Sequence, residues 1–148
     1  MDFSDILDRS VDEIEEPKAL PMGTWRFSIT NGKIKPNNRE GGPVGEALFM
    51  CKPLEAMDDV SEVELEVLGD QLDSTTAFHK IAIWERRDEW NIIRFLKLVG
   101  HELEEGDKLG DSVAKAKGYE FTAYVMHKPN PNDEDNPYVN LTDIKAVE

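Results

Sequence analysis

A mainly β fold is predicted for this 148-residue chain, and three observations predict it. Five segments alternate or run apolar at strand length, clusters of Pro, Asn, Asp and Gly separate several of them, and the clearest helical repeat lies between the third segment and the fourth.

Taken in order, residues 3–14 place Phe3, Ile6, Leu7, Val11 and Ile14 at loosely helical spacing before Pro17 and Pro21 stop the run. This predicts a short helix or an extended arm over 1–21, ahead of one domain over 22–148. GTWRFSITNGKIK alternates with period two, setting Trp25, Phe27 and Ile29 against Arg26, Ser28 and Thr30. KPNNREGGP reads as a turn-forming loop with Lys35 and Arg39, and Lys33 just before it. VGEALFMCKP is a second strand whose apolarity suggests cover on both faces. EAMDDVSEVELEVLGDQLD reads equally as a helix or as a long loop with one turn. STTAFHKIAIWE is the third strand. Asp88 is the expected N-cap of EWNIIRFLKLV, where Ile92, Leu96 and Val99 repeat at helical spacing and Gly100 follows as C′. DSVAKAKG suggests a further short helix ending at Gly118. YEFTAYVMHK is the fourth strand, PNPNDEDNP a polar turn loop and YVNLTDIKAV the fifth strand.

Five strands with helical material between the third and fourth is the order expected of an OB-fold, a five-stranded Greek-key barrel whose sheet face and first and last hairpin loops bind oligonucleotides. A sandwich or a small α+β sheet has similar strand counts.

Composition bounds the function classes. A chain of this length can bury a core, no apolar run approaches the roughly 20 residues needed to cross a bilayer, and MDFSDILDRSVDEIEE lacks a signal-peptide pattern. A soluble, intracellular protein is expected, for which the sequon at Asn140-Leu141-Thr142 has no meaning. Cys51 stands alone in an apolar run, so an internal disulfide is excluded and a buried, inert thiol is expected. His79, His101 and His127 are 22 and 26 residues apart with no Cys-x-x-Cys or His-x-x-x-His pair, which argues against zinc. NDEDN lacks the EF-hand register, and no Gly-rich phosphate loop is present. No cofactor and no enzymatic activity are expected.

The formal charge of −14 is the wrong sign for a polyanion's partner, yet it is unevenly placed. Residues 1–21 carry seven acids against Arg9 and Lys18, and residues 54–73 carry eight acids and no base. Residues 22–53 and 74–100, which hold the first three strands and the helix, are mildly basic. Net charge governs solubility and steering, while a local face can carry the opposite sign.

Several stretches resemble one family. LPMGTWRFSI, FMCKPLEAMDDV, IIRFLKLVG, GYEFTAYVMHK and YVNLTDIKAV appear in the order found in the small OB-fold single-stranded-DNA-binding proteins of bacteriophages, a group often catalogued only as a phage domain of unknown function. The resemblance spans roughly residues 18–147. It implies a DNA-binding protein of phage replication or recombination in the host cytoplasm. Many single-strand binders recruit replication partners through an acidic C-terminal tail with an apolar tip. Here the comparable segment is the N-terminal arm, expected to contact phage or host replication proteins.

Binding a single strand without sequence preference takes cations for phosphates and rings for base stacking. Strand parity sets the Ile81 row of the third strand inward, with His79 beside it as a core histidine, and leaves Lys80 and Trp84 outward. The same logic turns Arg26, Lys52, Tyr124 and Lys128 outward, and Lys33, Lys35 and Arg39 edge the face from the first loop. Arg86 completes the set. Trp84 has a competing role as a cap on the barrel, and Trp90 reads as helix packing. Tyr138 is a secondary candidate, and Phe78 is left out because it can tuck under a loop. Two rival readings stand beside DNA binding: an acidic DNA mimic that inhibits a host DNA-binding enzyme, and an OB-type adaptor that binds protein.

Overall fold

Five antiparallel strands in the order β3-β2-β1-β4-β5 form the frame of the molecule: β1 (Gly23–Pro36), β2 (Gly45–Ala56), β3 (Ala77–Ile83), β4 (Glu120–Lys128) and β5 (Tyr138–Ala146). The structure is a computed structural model that describes residues 3–11 and 18–147. Among the described residues four α-helices accompany the sheet: α1 (Phe3–Asp8), α2 (Glu62–Leu68), α3 (Glu89–Leu98) and α4 (Leu109–Ala114). The mainly β expectation holds. Closure does not follow: β3 and β5 approach to within 8 Å between Cα atoms, but no hydrogen-bonded ladder joins them among the described residues.

The core is built from one side of each strand. Trp25, Phe27 and Ile29 of β1, Ala47, Phe49 and Cys51 of β2, and Phe121, Ala123 and Val125 of β4 are buried, as period-two alternation requires. Ile92, Phe95 and Leu96 of α3 close this layer from below. The Phe95 ring meets Phe49 at 4.7 Å, His79 at 4.6 Å and Phe121 edge-on at 5.4 Å, while Phe27 stacks on Phe121 at 5.6 Å. Rings at these separations contribute about 0.5–1.5 kcal/mol per pair beyond their burial.

β1 carries a register shift that decides what faces outward. Ile29 pairs with Cys51 and Asn31 with Met50, so Thr30 is an extra residue. Past this bulge the parity flips. Gly32 turns inward, and Lys33 and Lys35, which would otherwise share the Trp25 row, emerge in water. Gly32 is needed there: a Cβ would clash with the Val113 carbonyl oxygen in α4. Both lysines therefore belong to a strand, where a loop was expected, and the connecting loop spans 37–44.

Three other expectations change. Residues 54–73 divide: β2 runs on to Ala56, Asp58 and Asp59 lie in a turn, and the remaining acids occupy α2 and a 3-10 turn, Gly69–Ser74. Asp88 holds the N-cap position of α3, as expected, but its side chain makes no capping bond there. It is helical itself, in a 3-10 turn over Arg86–Asp88, and its carboxylate accepts from the backbone N–H groups of Trp84 (2.8 Å) and Glu85 (2.9 Å). Those donors hold the Asp88 carboxyl below its usual range. Trp90 is 53% exposed, with the Lys97 ammonium 5.2 Å above its ring, so it is no packing residue. Of the N-terminal arm, α1 exposes every side chain, and Ile14 lies outside the described residues.

Candidate functional site

The outer side of β1–β3 reads as three cross-strand rows. Lys33 faces Leu48, which faces Lys80; Asn31 faces Met50, which faces Phe78; Ser28 faces Lys52. Leu48 is only 8% exposed although it points away from the core. Lys33 and Lys80 flank it in register, and a long Lys stem can cover apolar surface while its ammonium stays in water. Lys33, Lys52 and Lys80 are exposed, and none makes an ion pair among the described residues. Phe78 stands among them, 44% exposed, so it is not tucked under a loop and belongs to the face on which its parity with Lys80 places it.

Carboxylates on this side are matched by cations. Lys35 bonds Glu46 at 3.2 Å. Arg26 lies between Glu120, with which it makes a close ion pair, and Glu55 at 3.4 Å. The Glu120 hydrogen bond foremost raises the guanidinium's pKa. Arg26 sits opposite Glu55, at the far end of β2 from Leu48, so the structure does not bring it to Lys80. Tyr124 lies farther along, opposite Thr24 and Thr142 and half-buried.

At the other end, Val44 N–H donates to the Ile83 carbonyl (2.8 Å) and ties the 37–44 loop to the end of β3. Trp84, 57% exposed, follows directly, so it does not cap the core. Arg39 in the loop and Arg86 after Trp84 are exposed beside this junction. The tenth residue, Lys128, is exposed and pairs across β4–β5 with Tyr138. Parity thus placed the strand residues outward, while the ten divide among the lysine rows, the loop junction and the β4 side.

Between the starts of β3 and β5, where no ladder forms, a cleft of about 680 Å³ opens, within the usual range for ligand pockets. Phe78 and Lys80 line it from β3, Tyr138 and Asn140 from β5, and Asn136 from the preceding loop. Asn130 braces that loop: its Oδ1 accepts from Asn132 N–H (3.0 Å) and its Nδ2 donates to the Asn136 carbonyl (3.1 Å). The sequence signal for Tyr138 and Asn140 is their shared parity on the fifth strand. Nothing local marks Asn136.

His79 and Cys51 both sit where burial disfavours their charged forms. His79 packs against Phe49, Phe95 and Phe121, and burial pulls its imidazole down to about 4, so it is neutral at pH 7. Burial pushes the Cys51 thiol up to about 12, which removes the thiolate. Among the described residues no group of three or more His, Cys, Asp or Glu is placed to hold a metal ion, and no helix is long and apolar enough to cross a membrane. Compared with known proteins, the chain matches no family model and has no significant match among curated sequences.

Proposed function

We propose that this chain is an OB-type single-stranded-DNA-binding protein of phage replication or recombination, without catalytic activity. The observation that carries the reading is the set of Lys33, Lys52 and Lys80, exposed and without an ion-pair partner among the described residues, on one sheet face around Phe78 in a molecule of charge −14. Phosphates would follow the lysine rows while bases stack on Phe78 and Trp84. The strand order is that of an OB barrel opened between β3 and β5, with α3 after β3, which supports that fold. The resemblance of the ordered sequence stretches to the phage single-strand binders supports it independently. A DNA mimic would display unmatched carboxylates, whereas on this face Glu46 and Glu55 each meet a cation. The exposed Phe3, Ile6 and Leu7 of the acidic arm suit a protein contact in the same role.

Titration with a thymidine oligomer, followed by tryptophan fluorescence, tests the reading. Trp84 is exposed and should be quenched; Trp25 is buried and should stay silent. With about three phosphates neutralised, the logarithm of affinity should fall against log salt with a slope of roughly −2, and a matched duplex should bind more weakly. No binding at about 20 mM salt, where such contacts are strongest, would sink the proposal.

A further inference from the structure

We infer that the cleft between β3 and β5 is a base-reading pocket that admits one nucleotide of the bound strand and prefers adenine. This rests on the single-strand reading above and departs from it in one respect: the strand is not read indifferently at this point.

The argument starts from what a non-selective groove needs, which is cations and rings alone. The cleft has those. Phe78 comes from the β3 wall and Tyr138, 51% exposed, from the β5 wall, so a base entering between the strands meets a ring on either side. Lys80, without a carboxylate partner, lines the same wall as Phe78 and suits the phosphate of that nucleotide. Two further side chains have no role in such a groove. Asn136 and Asn140 line the cleft, and neither carboxamide makes a hydrogen bond to protein among the described residues. Asn130 differs, since both ends of its amide brace the loop that presents Asn136.

A carboxamide offers one N–H donor beside one C=O acceptor. That pair fits the N6–H and N7 edge of adenine in two bonds, the recurrent amide–base pairing. The surroundings strengthen the discrimination. Val139, Leu141 and the neutral His79 also line the cleft and bring apolar or uncharged surface to its lining. A base that left the amides unpaired there would forfeit their hydrogen bonds with water. Purines also present more ring to the two aromatic walls than pyrimidines do.

The test uses the full chain and thymidine oligomers of about 16 nucleotides, the upper end of an OB site, carrying a single central thymidine, adenine, cytosine or guanine. One substituted position in a uniform strand lets the protein choose its register without the self-stacking of an adenine homopolymer. The adenine-bearing strand should bind about tenfold more tightly than all-thymidine, near the low end of what one bidentate pair discriminates. One of the two single variants, Asn136→Ala or the near-isosteric Asn140→Leu, should abolish that preference, since only one carboxamide can take the N6–N7 edge of the base. Equal binding of all four strands, with clear affinity for each, overturns the base-reading pocket and leaves the single-strand reading standing. A preference that survives both variants overturns the assignment to these amides. Absence of binding to every strand at low salt overturns the reading beneath it.

Discussion

Two ends of one sheet surface carry the same kind of residue in opposite circumstances. Across β1, β2 and β3, Lys33, Lys52 and Lys80 stand in water with no counterion among the described residues; toward β4, Arg26 is held between Glu55 and Glu120. Both satisfy the parity rule for an outward strand residue. They differ in what remains available to a phosphate. A cation already neutralised by two carboxylates has little attraction left for an anion, whereas a strand-centre lysine flanked by Leu48 and Phe78 retains all of its own. Pairing status, not exposure, separates structural charge from binding charge here.

The largest test of the contrast removes the unpaired end. Replacing Lys33, Lys52 and Lys80 together by Ala should lower affinity for a thymidine oligomer by roughly 100- to 1,000-fold near 50 mM salt, because each neutralised phosphate of a single strand contributes on the order of tenfold there. The salt slope should collapse toward zero in the same titrations. A slope unchanged in the triple variant would mean that other cations carry the strand.

Binding is read only on a folded sheet, and His79 sets an acid limit on that. Its folded pKa of about 4 lies below the 6.5 of a free imidazole, because burial among Phe49, Phe95 and Phe121 disfavours the charged form. The unfolded chain therefore takes up a proton between pH 6.5 and 4 that the folded chain refuses. Stability is highest above that window and falls as pH drops through it, by up to about 3 kcal/mol for this residue. Urea midpoints from pH 7.5 to 4 should show the decline, and His79→Gln should flatten it. An equally steep decline in that variant would place the acid sensitivity elsewhere.

How much of this was legible in the sequence follows from the range of the interactions involved. The Trp25, Phe27 and Ile29 row, the buried Ile92 and Leu96 of α3 with Val99 just past its end, and the inward His79 were all readable, because each depends on a local period. The bulge at Thr30 was not, since a single extra residue leaves the alternation of either flank intact. Without it Lys33 and Lys35 fall on the inward Trp25 row. The counterions of Arg26 were hidden for another reason: Glu55 lies 29 residues away and Glu120 lies 94 away, and only sheet pairing makes them neighbours. Phe78 was set aside because parity names a side, and no local pattern says whether a loop covers that side. The cleft is harder still, as it exists only where two strands distant in sequence fail to pair.

A gain of function sharpens the comparison more than a loss. If pairing silences Arg26, then Glu55→Gln with Glu120→Gln should release it without moving it far, because each amide keeps the shape of the acid it replaces. Affinity should then rise by about three- to tenfold at low salt, and the salt slope should steepen by roughly 0.7, the share of one more phosphate. A rise in affinity with no change in slope would point to relief of general repulsion in place of a new contact. No rise at all would mean that the strand's path stops short of this end.

The smallest effect belongs to Arg26 itself, and it is the sharpest discriminator for that reason. Arg26→Ala in the otherwise native chain removes a guanidinium that already has two partners, so affinity for single strands should change by no more than about twofold. The variant also strips two outward carboxylates of their counterion. Any change should therefore be a slight weakening through added negative charge, with the slope against salt unaltered. Lys80→Ala, measured alongside, should lose about tenfold and flatten the slope by roughly 0.7. The two substitutions each delete one positive charge from the same face of the same sheet, so net charge cannot account for a difference between them. Equal losses from both would show that the strand exchanges places with Glu55 and Glu120 at Arg26, and the distinction between the two ends would disappear.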